Sequence, residues 1–262
     1  MRASKLTAPA MPWNAYSFTF NRDSPLLPPA TEKVWNYLQK QPALAGFVLA
    51  GGSALSLLIK HRLSEDLDFV CLQARLPRQK LEMLCRSAGE DGFRFVSTDD
   101  EAALQEFAND GMELRDYQQD YLVNAAVKVS FFAPDEAQRK AFSSATESGV
   151  RVATLPELFK SKALVSAVRS KTRDWLDLFL LLRDHGFTLR DYRAAFVQAG
   201  NPLQADTGLA RLCGGVPQRD DEGYAHLLAN PPSLEEMKHF FIAQRDKLEV
   251  ELAAEAVSRK PI

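Results

Sequence analysis

The stretch from Phe47 to Cys71, FVLAGGSALSLLIKHRLSEDLDFVC, constrains this chain more than any other part of it. It sets an apolar strand, a glycine turn, a helix and a second apolar strand in succession. Gly51-Gly52-Ser53 falls at the turn, and Asp66-Leu67-Asp68 leads into the second strand with twelve residues between. Glycines at a strand-to-helix turn let backbone N–H groups approach a phosphate, and the helix N-terminus adds partial positive charge. Strand alternation places Asp66 and Asp68 on one face. Two carboxylates beside a phosphate cradle suit a pair of Mg²⁺ ions that clamp a transferring phosphoryl or nucleotidyl group. The segment therefore reads as a nucleotide site.

Competing motifs are missing. Ser53 is followed by Ala54-Leu55, so the GxSxG elbow of the hydrolases is unmatched. Neither GxGxxG nor GxxxxGK[ST] occurs, which weakens a dinucleotide fold and a P-loop.

The GGS, spacer, Asp-x-Asp pattern resembles the signature of DNA polymerase β-like nucleotidyltransferases. Its surroundings, Arg62-Leu63-Ser64-Glu65-Asp66-Leu67-Asp68-Phe69, are closer still to the AbiEii/AbiGii-type toxins, the nucleotidyltransferase halves of bacterial toxin–antitoxin systems. A second match lies downstream: Lys162, then Arg169, then Arg173-Asp174-Trp175-Leu176-Asp177-Leu178, similar to the family's Lys, seven-residue step to Arg, and RDxxDL element. The resemblance covers roughly 47–71 and 155–182.

This resemblance implies an α+β fold: a polymerase β-like nucleotidyltransferase domain with a mixed sheet, then an α-helical C-terminal domain. It implies Mg²⁺-dependent attack of an acceptor hydroxyl on a nucleoside triphosphate (NTP), with pyrophosphate released. Gly51, Gly52 and Ser53 would hold the β and γ phosphates, Ser53 also through its hydroxyl. Asp66 and Asp68 would be the metal ligands, Lys162 the triphosphate contact, Asp174 a catalytic or supporting carboxylate, and Asp177 and Arg62 further members of the nucleotide site. The acceptor would be a tRNA 3′ end or a protein hydroxyl, and the partner a separately encoded antitoxin.

One position departs from the superfamily. Many of its enzymes carry a third carboxylate on a neighbouring strand, and the matching strand here, Ala126–Phe132, places Ser130 there. A hydroxyl is a poor Mg²⁺ ligand and no base at neutral pH, so either Asp116 or Asp120 on the preceding strand substitutes or one of the two metal ions is held more weakly. Two alternatives stay open: a degenerate binder of nucleotide or partner, and a small-molecule transferase of the antibiotic-modifying kind. The latter needs an acidic acceptor pocket, for which Asp99-Asp100-Glu101 and Asp220-Asp221-Glu222 are the candidates. The ordinary structural readings are Ser53 as a helix N-cap and Arg173–Asp177 as a surface pair one helical turn apart.

Composition narrows the setting. A net charge of −2 gives no whole-molecule attraction to nucleic acid or anionic membrane, so such binding needs a local patch. Between Lys160 and Arg173 five basic residues and no acidic one supply it: Lys160, Lys162, Arg169, Lys171 and Arg173. The three cysteines form no CxxC pair and read as free thiols of a reducing compartment. The four histidines show no metal-site spacing and read as surface or cap residues. No apolar run approaches the roughly 20 residues that span a bilayer, nor does the N-terminus read as a secretory signal. The expected location is the cytoplasm, without membrane contact.

Three segments are expected. Residues 1–30, rich in proline, form an extended arm packed through Trp13, Tyr16 and Phe18. Residues 31–153 form the α/β domain, opening with a helix capped by Thr31. Its strands are expected at Phe47–Ala50, Leu67–Leu72, Phe93–Ser97, Met112–Tyr117, Tyr121–Phe132 and Gly149–Ala153. Residues 154–262 are helical, starting at the capping box Thr154-Leu-Pro-Glu157 and ending in a long helix from Ser233.

Overall fold

The computed structural model describes residues 26–143 and 149–258. Most of the expected N-terminal arm, with Trp13, Tyr16 and Phe18, lies outside the described residues. The described chain begins with helix α1 (Pro29–Leu38), opened by proline at its first position. Thr31 is therefore inside the helix and not its cap. It is buried, and its hydroxyl donates to the Glu65 carbonyl (2.9 Å), fastening α1 to the segment ahead of the carboxylates.

Six strands form one mixed sheet in the order β3-β4-β5-β2-β1-β6. Strand β1 (Phe47–Ala50) runs into helix α2 (Gly51–Ile59) with no intervening loop, and β2 (Leu67–Cys71) returns antiparallel beside it. Helix α3 (Arg78–Glu90), β3 (Phe95–Ser97) and helix α4 (Glu101–Asn109) follow. Strands β4 (Gln118–Val123) and β5 (Val127–Phe132) make a hairpin, β5 pairs parallel with β2, and β6 (Arg151–Val152) closes the far edge parallel to β1. Between β5 and β6 comes the short helix α5 (Glu136–Arg139).

Two strand expectations are corrected. Tyr121–Phe132 is not one strand but the hairpin's two arms, turned by Asn124 and Ala125 at φ 51° and 56°. Met112–Tyr117 is not a strand: it holds a 3₁₀ turn at Leu114–Asp116.

Alternation along β5 assigns the two faces. Val127, Val129 and Phe131 are buried on one face, where Phe131 stacks on Phe69 and Phe69 on Trp35 of α1. The opposite face carries Lys128 and Ser130.

The last strand ends at Val152 and helix α6 (Leu155–Ser166) starts three residues on, at the expected capping box. Helices α7 (Thr172–Asp184), α8 (Leu189–Ala199), α9 (Gln204–Gly214) and α10 (Leu234–Ser258) complete the helical region. Helix α6 packs against α7, α8 and α9 of the helical region and against α2 of the sheet region. Buried apolar side chains of the sheet and the helices form one cluster. Among the described residues no helix is long and apolar enough to cross a membrane.

Candidate active site

The polar face of the sheet carries two rows of side chains across adjacent strands. Asp68 pairs in register with Ser130, and Ser130 with Asp120. One step back, Leu122 pairs with Lys128, and Asp66 stands just ahead of β2 on the same face. Above these rows sits a cleft of about 230 Å³, lined by Gly51, Gly52, Arg62, Ser64, Asp66, Asp68, Lys128, Ser130, Lys162, Arg169, Lys171, Arg173, Asp174 and Glu222. A second hollow of about 580 Å³ adjoins it, sharing Asp66, Lys128, Arg173 and Glu222.

Both glycines are set by close approach. Gly51 has φ +65°, and a Cβ there would run into the Asp68 carboxylate. A Cβ on Gly52 would meet the Arg62 guanidinium and come within 2.9 Å of Ser64 Oγ. No side chain caps the N-terminus of α2, so its first N–H groups are left for the cleft.

Ser53 behaves differently from its sequence reading. It is neither the N-cap, which is Ala50, nor a lining residue of the cleft. Its hydroxyl is buried and engages the Asp66 carbonyl and Ser64 Oγ, holding the turn against the start of β2. Only its backbone N–H remains for a phosphate.

Behind the cleft lies a buried charge network. Arg62 donates to both oxygens of Asp177, Nε at 2.8 Å and Nη2 at 3.1 Å. Lys162 Nζ sits between Asp174 (2.6 Å) and Asp177 (2.7 Å), and Arg169 Nε donates to the other Asp174 oxygen at 2.8 Å. Asp177 is fully buried and Asp174 nearly so. Burial alone would raise both acids. Arg62 and Lys162 outweigh it at Asp177 and hold that carboxyl well below the usual range, while Lys162 and Arg169 lower Asp174. The expected surface pair Arg173–Asp177 does not form. Arg173 instead faces Glu222 at 3.3 Å and Glu65 at 4.0 Å, and donates to the Gly223 carbonyl.

His61, expected at the surface, belongs to this network. Its Nε2 donates to Asp177 (2.8 Å) while Nδ1 is buried with no hydrogen-bond partner among the described residues. Burial, above all, pushes its pKa down, which favours the neutral ring. One signal was available: His61 adjoins Arg62, and both precede the carboxylates.

The carboxylate pair is held charged only at a cost. Burial first, then the Asp66 charge, push Asp68 up to about 6, and burial raises Asp66 too. Oxygen donors that repel each other are a fit for a hard cation. Among the described residues no group of three or more His, Cys, Asp or Glu is placed to hold a metal, so a Mg²⁺ ion here would take only these two side chains from the described chain. Mg²⁺ is commonly held by one or two carboxylates, with phosphate and water completing the octahedron, and the pair fits that pattern.

The two acidic clusters are already engaged. Asp99 binds Arg115, Asp100 caps α4, Asp221 caps Thr172 and Glu222 faces Arg173. Of the five basic residues only Lys160 does not line the cleft. The thiols of Cys71, Cys85 and Cys213 are free, and Cys85 is only half-buried.

A family model described as the nucleotidyl transferase AbiEii toxin of type IV toxin–antitoxin systems matches residues 34–247. The chain belongs to the AbiEii family. The whole sheet, helices α2 to α9 and all residues of the charge network fall inside the match. Two crystal structures from Helicobacter pylori are similar. JHP933 is 20% identical, with 88% of this chain and 97% of its own covered at a TM-score of 0.46. A candidate nucleotidyltransferase is 22% identical, with 84% and 95% covered at 0.45. No curated protein matches the chain.

Proposed function

We propose that this AbiEii-family chain transfers a nucleotidyl group from an NTP to an acceptor hydroxyl, as the toxin of a toxin–antitoxin pair with a separately encoded antitoxin. The observation that carries the reading is one cleft holding Asp66 and Asp68 beside an uncapped helix N-terminus and six basic side chains. Gly51, Gly52 and the Ser53 N–H receive the β and γ phosphates. Arg169, whose side chain is half exposed, and Lys171 neutralise charge on the leaving pyrophosphate. Lys162 contributes from the floor, its position fixed by Asp174 and Asp177. Asp66 and Asp68 would hold Mg²⁺, which when bound screens the triphosphate and favours the acceptor alkoxide. The acceptor is an RNA 3′ end, as in tRNA, or a protein hydroxyl, and the cytoplasm is the compartment where both occur.

The reading is tested by offering each of four α-labelled NTPs, with Mg²⁺, to total tRNA and to the protein itself. Label in RNA or protein that disappears in Asp68→Asn supports nucleotidyl transfer and names base and acceptor. Thermal melting gives a second readout. Mg²⁺ should raise the wild-type melting temperature by a few degrees and leave Asp68→Asn unmoved. A chain that labels no acceptor and melts identically with and without Mg²⁺ would refute the proposal.

A further inference from the structure

Ser130 stands beside Asp68 in the cleft, and its hydroxyl is committed. Oγ donates its proton to Asp120 Oδ1 at 2.6 Å. Asp120 is itself fixed: Gln118 Nε2 donates to its other oxygen at 2.6 Å, and its backbone N–H donates to Asp99 Oδ1 at 2.9 Å. Asp120 does not line the cleft whereas Ser130 does, so the carboxylate reaches the cleft through the serine. A hydroxyl whose proton points to Asp120 turns its lone pairs elsewhere, and the cleft is the side where a donor can meet them.

We infer that Ser130 and Asp120 form a two-residue proton relay for the acceptor hydroxyl, with Ser130 touching the acceptor and Asp120 acting through it. This rests on the nucleotidyl-transfer reading above. The acceptor oxygen forms a bond to the α-phosphorus, and the bond from that phosphorus to the bridging oxygen of pyrophosphate breaks with its electron pair. The acceptor proton passes to Ser130 Oγ as the Ser130 proton passes to Asp120 Oδ1. Asp120, at a half-exposed place on β4, then returns the proton to solvent. The relay gives a function to a serine that, taken singly, is neither a base nor a good ligand.

The test is steady-state transfer by four variants: Ser130→Ala, Asp120→Asn, their double, and Ser130→Asp in the Asp120→Asn background. A positioned base contributes about 100-fold or more. Each single variant should lose that much in kcat with KM for the NTP unchanged. The Ala/Asn double should be no worse than either single, because the two act as a unit. Ser130→Asp should recover much of the Asp120→Asn loss by placing a carboxylate directly in the cleft. NTP binding by calorimetry at the wild-type level confirms that each variant is folded. Wild-type kcat in Asp120→Asn, or no recovery by Ser130→Asp, overturns the relay while leaving the transfer reading standing. A wild-type chain that transfers to no acceptor overturns both.

Discussion

At the scale of single residues, Gly51 shows how closely this site is built. Its φ of +65° costs a side-chain-bearing residue about 1–2 kcal/mol, and its missing Cβ leaves the place where the Asp68 carboxylate lies. Gly51→Ala should therefore displace Asp68 and cut transfer by about 100-fold or more, the penalty of misplacing a reacting group by about 1 Å. The labelled-nucleotide assay and a melting curve check it, and full activity in the Gly51→Ala variant would show that Asp68 tolerates the shift. The carboxylates and glycines could be read from the sequence because their spacing is local, a turn and one strand away from each other. The hydroxyl of Ser53 could not, since its destination, the Asp66 carbonyl, is set by how α2 folds back on β2. His61 was missed for a related reason: its partner Asp177 is 116 residues away.

At the scale of elements, the signals that held were end signals. The capping box at Thr154–Glu157 was visible as spacing and forms, and the long last helix does start after Ser233, where Ser233 and Glu236 cap each other. The β4–β5 hairpin was invisible because its turn uses Asn124 and Ala125 at positive φ without a glycine. Helix α4, which Asp100 caps and which buries no residue, was missed although Leu104 and Phe107 stand one turn apart on it. Glu157 does more than cap α6. It accepts from Ser143, the Thr154 backbone and both terminal nitrogens of Arg151, tying β6 to the helical region. Burial alone would raise its pKa, but these partners, Arg151 foremost, bring it down to about 2. A depressed acid stabilises the fold above its ordinary pKa near 4.5, and that contribution is lost as pH falls towards 2. Glu157→Gln should cost about 2 kcal/mol at pH 7, with the gap to wild type closing between pH 4.5 and 2. Urea unfolding across that range decides it: a gap that does not change with pH would mean the carboxylate charge is not what stabilises the junction.

At the scale of the whole molecule, the site is made by the meeting of sheet and helices. The loop ahead of β2 brings Arg62, α6 brings Lys162 and α7 brings Asp174 and Asp177, so no segment holds the charge network by itself. The irregular stretch between α9 and α10 clasps both sides, through Leu63 N to the Leu227 carbonyl and Thr172 to Asp221. A sequence boundary near residue 153 marks where strands give way to helices. It does not show this coupling, because Arg62 and Asp177, which join the two sides, lie 115 residues apart. The chain carries a reporter on each side, Trp35 in α1 and Trp175 in α7, both buried. With Trp13 and one of these replaced by Phe, fluorescence follows the sheet or the helices alone. Both reporters should give one urea midpoint, since one core and one buried network span them. Asp177→Ala sharpens the test. It leaves Arg62 buried with no carboxylate and Lys162 with only Asp174, and removing one partner of a buried pair costs about 3–5 kcal/mol. If the two regions unfold together, that loss should lower the Trp35 midpoint as much as the Trp175 midpoint, although Asp177 belongs to the helices. Two midpoints in the wild type, or a Trp35 midpoint that ignores Asp177→Ala, would mean the sheet folds without the helices and the active site is assembled only afterwards.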